Sequence, residues 1–285
     1  MDRPKISVVI PCYNRQSIIP LVIQGLLCQT IKPDEIIVVD DASTDNTLQV
    51  LKGYNIKVIS NKNNLGPAAS RNRGFLNSQG DLIVFIDSDA LPKANLIEVL
   101  LYEYSENKNY HKKIGGIGGK GIDMIVKTTA DKWRCIHAKQ EWGLKTRDVN
   151  YLFGLCSSYP RKVLEEVGGF DEFYRFAAGE DVDLGIRIRQ KGYKLLYTPQ
   201  AITFHYHSDT SFSLLRIQEN WTKWNLIAHQ RNRCLNFRQI IGPIIKPVLF
   251  VLIDIFKYHD PSIASLSMKV FARRLSVIWN YFRTF

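Results

Sequence analysis

The sequence predicts an α/β fold: a Rossmann-like, mostly parallel central sheet flanked by helices and followed by a helical C-terminal extension. Short apolar runs alternate with helix-length segments in the N-terminal third of the chain, a pattern typical of βαβ units with right-handed crossovers. Each run consists of consecutive large apolar residues, as in strands buried on both faces. Polar and acidic residues follow several of these runs directly, and ligands bind at the carboxyl ends of such strands.

The first two strands can be placed from these patterns. A strand is predicted at residues 6–10, and a helix at residues 17–29 follows it with Ser17 as its N-cap. The second strand ends in the adjacent carboxylates Asp40 and Asp41, and a Ser-Thr-Asp run announces the helix after it.

The third and fourth strands continue the alternation. The third is predicted at residues 56–60, and the helix after it starts at Gly66-Pro67, because proline suits the first helical turn. The fourth covers residues 83–86. Polar side chains from three loops therefore gather along one edge of the sheet, which predicts a ligand site there.

The fourth strand ends abruptly in Asp87-Ser88-Asp89. Buried carboxylates without partners are costly, so they need a cation or strong hydrogen-bond donors. A divalent metal held by Asp89 and Asp87, with a phosphorylated ligand as its other partner, satisfies that need. The alternative is a polar strand end that caps a helix starting near Pro92.

Five segments in order resemble the inverting family-two glycosyltransferases, which have the A-type glycosyltransferase fold. They span roughly residues 5–207 and read SVVIPCYNR, VVDDASTDNT, NLGPAASRNRG, DSDA and GGFDEFYRFAAGEDVDLGIRIRQKGY. The resemblance implies transfer of a single sugar from a nucleoside diphosphate sugar to a hydroxyl acceptor with inversion at the anomeric carbon. It also implies dependence on Mn²⁺ or Mg²⁺. The acceptor expected is a lipid-linked glycan or a polysaccharide precursor of the cell envelope.

The resemblance also assigns roles to residues. In the pair Glu180-Asp181, Asp181 corresponds to the family's general base, although acids at a helix start can also simply complement the helix dipole. His205 follows an apolar run and corresponds to a further metal ligand beside Asp89, with His207 as the alternative. We expect Asp41 to hold the nucleobase, the loop at Pro11 and Tyr13 to stack beside it, and Arg71 to face the diphosphate. The complete set expected to contact the donor is Pro11, Tyr13, Asp40, Asp41, Arg71, Asp87 and Ser88.

Two other classes of protein use a similar sheet. A nucleotide-sugar nucleotidyltransferase should carry a glycine-rich loop with Arg and Lys after the first strand, where this chain has PCYNRQS. A non-catalytic sugar-nucleotide-binding protein should have lost one acidic motif, and both are present. The segment HQRNRC only partly resembles the Gln-x-x-Arg-Trp motif of processive synthases, since Cys234 stands at the Trp position. That departure favours transfer of a single sugar.

Composition indicates the compartment and the domain organisation. The chain has 285 residues and five scattered cysteines without CxxC spacing, which favours a reducing compartment and a cytoplasmic location. Met1 lies only a few residues before the first strand, so no signal peptide is expected there. We predict a donor-binding catalytic domain at residues 1–210 and a basic helical extension at residues 211–285.

Basic residues are concentrated in the extension. Residues 211–285 contain 11 Lys and Arg against 3 Asp and Glu, a balance of +8, whereas residues 1–210 hold the remaining 27 against 24, only +3. Aromatic and aliphatic residues lie between these cations, and no nucleic-acid-binding motif is present. We therefore expect no nucleic acid, and as partner an anionic membrane surface or the pyrophosphate of a lipid-linked substrate.

Two apolar segments of the extension have alternative interpretations. The run at residues 240–256 is too interrupted by proline and charge for a clear membrane span. From Pro261 onward a single amphipathic stripe is predicted, which packs on the catalytic domain or faces a membrane. Its members are Ala264, Met268, Phe271, Leu275, Ile278 and Phe282.

Residues 111–150 are the least informative part of the sequence. Five glycines between Gly115 and Gly121 lack phosphate-loop spacing, so a sheet edge or a loop near the acceptor is expected. Trp133, Trp142 and Tyr151 are candidates for stacking on an acceptor sugar, with core packing as the alternative.

Overall fold

The computed structural model describes residues 3–107 and 113–284. They form two compact units. The first comprises residues up to 122 together with 140–206, and the second comprises residues 123–139 and 207 onward. The segment 123–139, which the sequence-based division assigns to the catalytic domain, thus belongs to the second unit.

The described elements follow the predicted alternation through the N-terminal half. The strands are β1 Ile6–Cys12, β2 Glu35–Asp40, β3 Lys57–Ser60, β4 Leu82–Ile86, β5 Ala90–Pro92, β6 Ile114–Asp123, β7 Arg147–Val149, β8 Cys156–Pro160 and β9 Lys194–His205. The helices are α1 Ile19–Leu27, α2 Thr47–Leu51, α3 Pro67–Leu76, α4 Leu96–Glu106, α5 Thr129–His137, α6 Arg161–Val167, α7 Glu180–Gln190, α8 Ser211–Arg231, α9 Phe237–Phe256 and α10 Pro261–Thr284.

One mixed sheet forms the centre of the first unit. Its order is β3-β2-β1-β4-β8-β6-β9-β5, and β7 pairs with β9 outside that path. The pairs β2–β3, β1–β2 and β1–β4 are parallel, whereas β8 pairs antiparallel to β4 and β5 pairs antiparallel to β9. The predicted α/β class with a parallel central sheet is confirmed, and antiparallel strands extend it on the β4 side.

The strands are apolar on both faces because helices cover both. Val8 and Val84 lie in one buried cluster with residues of α1 and α4. Val9 and Phe85, the next residues along the same strands, lie in a second cluster with residues of α3, α6 and α7. This period of two explains why the strands read as continuous apolar runs.

Three boundaries differ from the sequence-based prediction. Helix α1 begins at Ile19 and has no side-chain cap, because a backbone turn at residues 15–18 and the proline in its first turn start the helix in place of Ser17. Pro92 belongs to the edge strand β5 opposite Thr203, so the interpretation of a helix starting there is wrong. The glycines of residues 115–121 form β6 inside the sheet and not an edge or a loop.

The second unit consists of helices α5, α8, α9 and α10. Trp133 is completely buried in it and donates from Nε1 to Ser267 Oγ at 2.8 Å. Trp133 packs with Leu214, Ile263 and Val270 in one apolar cluster. The expectation that Trp133 stacks on a sugar is therefore wrong, since its ring is enclosed by helices.

Helix α9 is, among the described residues, the one helix long and apolar enough to cross a membrane by length and composition alone. Only 11% of its most apolar stretch is buried. The stripe predicted for α10 is divided, because Ala264 and Ile278 are buried whereas Met268, Leu275 and Phe282 are exposed.

Candidate active site

The Asp87-Ser88-Asp89 segment lies directly between two strands of the first unit. Strand β4 ends at Ile86 and β5 begins at Ala90. Ala90 pairs with His205 at the end of β9, and the backbone N–H of Tyr206 donates to the carbonyl of Asp89 at 2.8 Å. The β5–β9 pairing therefore fixes the backbone of Asp89 beside that of His205.

The side chains of Asp89 and His205 meet as this pairing requires. Nε2 of His205 lies 3.6 Å from Oδ1 of Asp89, and each side chain is 11% exposed. The other oxygen, Oδ2, lies 3.2 Å from Nη2 of Arg15 in the loop after β1. Asp89 thus presents one oxygen to an imidazole and the other to a guanidinium.

A carboxylate and an imidazole converging in this way suit a divalent cation. Oxygen ligands are preferred by Mg²⁺ and Mn²⁺, and imidazole is a common ligand of transition metals. The ligand atoms of Asp89 and His205 lie within 4.8 Å of each other. The two residues fit the predicted metal site. His207, the alternative ligand, lies 3.1 Å from Asp209 in the second unit, and its role as a ligand stays a prediction.

Arg71 joins the DSD segment to the start of α7. Its Nη2 donates to Oδ1 of Asp87 at 2.8 Å, and its Nη1 donates to Oε1 of Glu180 at 3.0 Å. The Arg71 side chain is only 3% exposed. The guanidinium therefore organises two carboxylates, and its contact with a diphosphate stays a prediction.

The two acids at the start of α7 differ in accessibility. The Glu180 side chain is 4% exposed, and within the described residues its Oε2 has no hydrogen-bond partner. Asp181 is half-buried, and its Oδ1 accepts from the N–H of Val182 at 2.8 Å. Burial raises the pKa of both carboxyls, and the charge of Asp181 raises the pKa of Glu180 further. Asp181 is thus the more accessible of the two potential bases.

Gly154 lets the chain before β8 pass close to this charge cluster. A Cβ at Gly154 would lie 3.0 Å from Nη2 of Arg71 and 3.9 Å from Oε1 of Glu180. The hydrophobic pattern of the sequence does not predict this close contact between the backbone at Gly154 and the charged side chains.

Asp41 holds the loop that leads into α3. Its Oδ1 accepts from Asn61 Nδ2 at 2.6 Å and from the N–H of Leu65 at 2.9 Å, and its Oδ2 accepts from the N–H of Gly66 at 2.8 Å. Gly66 has a φ of 92°, which favours glycine, and a Cβ there would meet the carbonyl oxygen of Arg175. Asp41 is 4% exposed and its carboxylate is engaged by this loop, so its contact with a nucleobase also stays a prediction.

Asp40 lies at the end of β2 and is fully buried. Its Oδ2 accepts from the N–H of Ser43 at 3.2 Å, whereas Oδ1 has no hydrogen-bond partner in the described part of the chain. A hydrogen bond from a ligand or an ordered water would satisfy this buried oxygen.

The remaining residues expected at the donor site lie around β1 and β4. Pro11 is buried inside β1, where it is tolerated because the pairing of β1 with β4 ends at Val9. Tyr13 is 42% exposed at the end of that strand, and Ser88 is buried. The ring of Tyr13 is therefore accessible for the predicted stacking. Pro11 lies within strand β1 and not in the predicted loop.

Three aromatic rings form a cluster beside the start of α7. Trp142 stacks on Phe153 with ring centroids 5.4 Å apart, and Tyr151 contacts both rings edge-on at 5.1 Å and 5.7 Å. The charge of Asp181 contributes to raising the pKa of Tyr151, after burial. The structure thus brings two of the predicted stacking residues together, and sequence analysis missed their partner Phe153.

Sequence reasoning also missed Arg15 as the neighbour of Asp89. Arg15 follows β1 in the PCYNR segment, so its position at a strand end was a signal. Asp183 in the first turn of α7 is buried and pairs with Arg187 at 2.7 Å.

An α/β sheet with an acidic site at its strand ends is the arrangement of A-type glycosyltransferases, and comparison with known proteins agrees. The chain belongs to Glycosyl transferase family 2, whose sequence profile matches residues 7–168. The profile of the N-terminal domain of galactosyltransferase matches residues 134–210.

Named relatives support the family assignment, and a solved structure supports the fold. O-antigen chain rhamnosyltransferase RfbN of Salmonella typhimurium is 30% identical over 225 residues, which is 72% of this chain and 68% of RfbN. Poly(ribitol-phosphate) beta-glucosyltransferase of Bacillus spizizenii is 37% identical over 142 residues, 45% of this chain and 22% of that protein. Mannosyltransferase PcManGT from Pyrobaculum calidifontis, solved in complex with GDP-Man and Mn²⁺, superposes with a TM-score of 0.65 at 17% identity, covering 98% of this chain and 88% of PcManGT. Family membership selects the glycosyltransferase interpretation over the nucleotidyltransferase one.

Proposed function

We propose that this enzyme transfers a single sugar from a nucleoside diphosphate sugar to a hydroxyl acceptor, with inversion at the anomeric carbon. The observation that carries the proposal is the connection made by Arg71. It links the DSD segment at the end of β4 to the Glu180-Asp181 pair at the start of α7. A phosphate-binding strand end and an accessible base in one cluster are what a direct displacement needs.

Asp181 acts as the general base in this proposal. Its half-buried carboxylate removes the proton of the acceptor hydroxyl while that oxygen attacks the anomeric carbon. Glu180 holds Arg71 and so orients the site without contacting the acceptor. A single displacement requires no covalent nucleophile, and its rate depends on placing the acceptor oxygen correctly.

The charge of the leaving diphosphate requires compensation. Asp89 and His205 would hold a Mn²⁺ or Mg²⁺ ion, which when bound would stabilise negative charge on the leaving group. Arg15, which lies 3.2 Å from Asp89, adds positive charge on the protein side.

The donor and acceptor classes are inferred from the relatives. PcManGT binds GDP-Man with Mn²⁺, and RfbN is an O-antigen chain rhamnosyltransferase. We propose a nucleoside diphosphate sugar as donor and a lipid-linked glycan or cell-envelope polysaccharide precursor as acceptor. The five cysteines are unpaired in the structure, which fits the cytoplasmic location that forms part of this proposal.

A donor screen tests the proposed function. Purified full-length protein would be incubated with individual nucleoside diphosphate sugars, Mn²⁺ and a lipid extract as acceptor, and nucleoside diphosphate release would be measured. We expect release with one donor class that needs both extract and metal. The Asp181→Asn variant is the matched control, because it keeps the shape of the site and loses the base. Release that is equal in wild type and Asp181→Asn would contradict the proposal.

A further inference from the structure

One side of helix α9 is fixed inside the second unit. Asp254 on this side is fully buried, accepts from Ser267 Oγ at 2.6 Å, and lies 2.6 Å from Nε2 of His137. Phe250, one turn earlier, stacks on the His137 ring with centroids 4.2 Å apart. Burial lowers the pKa of His137, whereas its contact with Asp254 raises it. The hydrogen bond between His137 and Asp254 thus ties α9 to α5 within the second unit.

The opposite side of α9 is apolar and exposed. Seven large apolar side chains lie there at spacings of three and four residues, with exposed fractions between 38% and 73%. They are Ile245, Val248, Leu249, Leu252, Ile253, Ile255 and Phe256. Lys246 is the one charged residue exposed between Ile245 and Phe256, and it lies at the edge of this side. A continuous apolar surface of this kind marks an interaction site.

Cations surround the exposed side of α9. Arg238 and Lys257 are exposed near its two ends, and Lys246 borders it. Of the three acidic residues of the extension, Asp254 is buried and Glu219 is paired with Arg273 at 3.5 Å. The third, Asp260, lies beyond the end of α9, is half-buried, and accepts from the backbone N–H of Ile263 at the start of α10.

Helix α10 repeats the pattern. Its exposed apolar residues fall on one stripe, namely Met268, Leu275, Trp279 and Phe282. Lys269, Arg273 and Arg283 are exposed beside that stripe, and Arg283 lies over the Trp279 ring at 5.1 Å. An apolar face bordered by Lys and Arg, with aromatic rings at its margin, is typical of helices that lie in a membrane interface.

We propose that the second unit binds an anionic lipid bilayer through the exposed side of α9, with α9 lying in the plane of the membrane. The +8 balance of residues 211–285 complements an anionic leaflet, whereas the apolar side chains between Ile245 and Phe256 enter the boundary of the acyl chains. A transmembrane orientation would require breaking the buried contact of His137 with Asp254, so the helix binds from one side. This inference goes beyond sugar transfer, and membrane binding is measured without donor or acceptor.

Vesicle sedimentation of the full-length protein tests the proposal. Vesicles of phosphatidylcholine alone would be compared with vesicles of equal parts phosphatidylcholine and phosphatidylglycerol. We expect binding to the anionic vesicles, weakened by high salt because the electrostatic part is screened. Washing with alkaline carbonate should release the protein, as for an in-plane helix.

A triple variant identifies the binding surface. Leu249→Gln, Leu252→Gln and Phe256→Gln together should lower the vesicle partition coefficient at least about tenfold, because three membrane-inserting side chains are lost. The matched control changes three exposed leucines of the first unit, Leu48→Gln, Leu76→Gln and Leu144→Gln, and should bind like wild type. All six side chains are exposed, so both variants should fold.

Two results would overturn the proposal. One is equal vesicle binding by wild type and the α9 variant. The other is a wild-type protein that ignores anionic vesicles but forms oligomers that the α9 variant dissociates, which would assign this side of α9 to self-association.

Discussion

Nε2 of His205 lies 3.6 Å from Oδ1 of Asp89, and a pair of antiparallel strands holds the two residues together. Ala90, the residue after Asp89, pairs with His205 across β5 and β9. The geometry of this candidate metal site therefore depends on strand register, and a shift of one residue would turn one of the two side chains to the other face.

Replacing either residue should weaken metal-dependent turnover. We expect His205→Asn to raise the Mn²⁺ concentration for half-maximal activity about 10- to 100-fold. Asp89→Ala should reduce turnover more, because it removes the charged ligand. Activity measured against Mn²⁺ concentration checks both variants, with His259→Asn, outside the site, as the control. Full wild-type activity in excess EDTA would rule out the metal role.

Arg71 should be a determinant of stability as well as of activity. Arg71→Ala leaves the almost fully buried Glu180 carboxylate without its partner and removes the donor to Asp87. Breaking a buried pair from one side costs about 3–5 kcal/mol, and partial exposure of Asp87 places this case near the lower end. Urea denaturation measures the decrease in the free energy of unfolding. Adding Glu180→Gln should recover part of it, and strictly additive effects of the two changes would show that the pair is not coupled.

Substitutions at Asp181 and at Glu180 should affect different steps, catalysis in the first case and donor binding in the second. Asp181→Asn should lower kcat by about 10²- to 10⁴-fold with donor affinity almost unchanged, the effect expected for loss of a general base. Glu180→Gln should instead lower donor affinity, because Arg71 loses one of its two carboxylates. Calorimetric donor binding and kcat are measured for both variants. The same loss of donor affinity in each would refute this division of roles.

The pH dependence follows from the raised pKa of Asp181. The base works only when it is ionised, so kcat should decrease as the pH falls through the pKa of Asp181. Because burial raises the pKa above the ordinary aspartate value of about 3.9, the acidic limb should appear at higher pH than for an exposed aspartate. A kcat profile in saturating donor checks this, and Asp181→Asn should lose that limb. A limb that persists unchanged in Asp181→Asn belongs to another group.

Strand ends could be predicted from the sequence because each buried strand is a run of apolar residues that stops at polar ones. Asp87 and Asp89 were placed in this way, and the structure has them directly after β4. The hydrogen bonds of Asp41 were not predictable, because its donors come from the 61–66 loop on another βα unit. Contacts between segments that are distant along the chain leave no pattern in the local sequence from which they could be predicted.

The glycines of β6 show why the middle of the chain was misread. A Cβ at Gly116 would lie 2.7 Å from the Tyr159 ring, and one at Gly119 would overlap the carbonyl oxygen of Ala201. These glycines serve close packing against neighbouring strands, whereas clustered glycines in a sequence usually indicate a loop. Only the strand order reveals that role.

The anomeric configuration of the product is the most direct test of the proposed reaction. With a donor from the screen and Mn²⁺ present, NMR of the purified product gives the configuration of the newly formed glycosidic bond. The single displacement with Asp181 as base predicts a configuration opposite to that of the donor. A product that retains the donor configuration would contradict it.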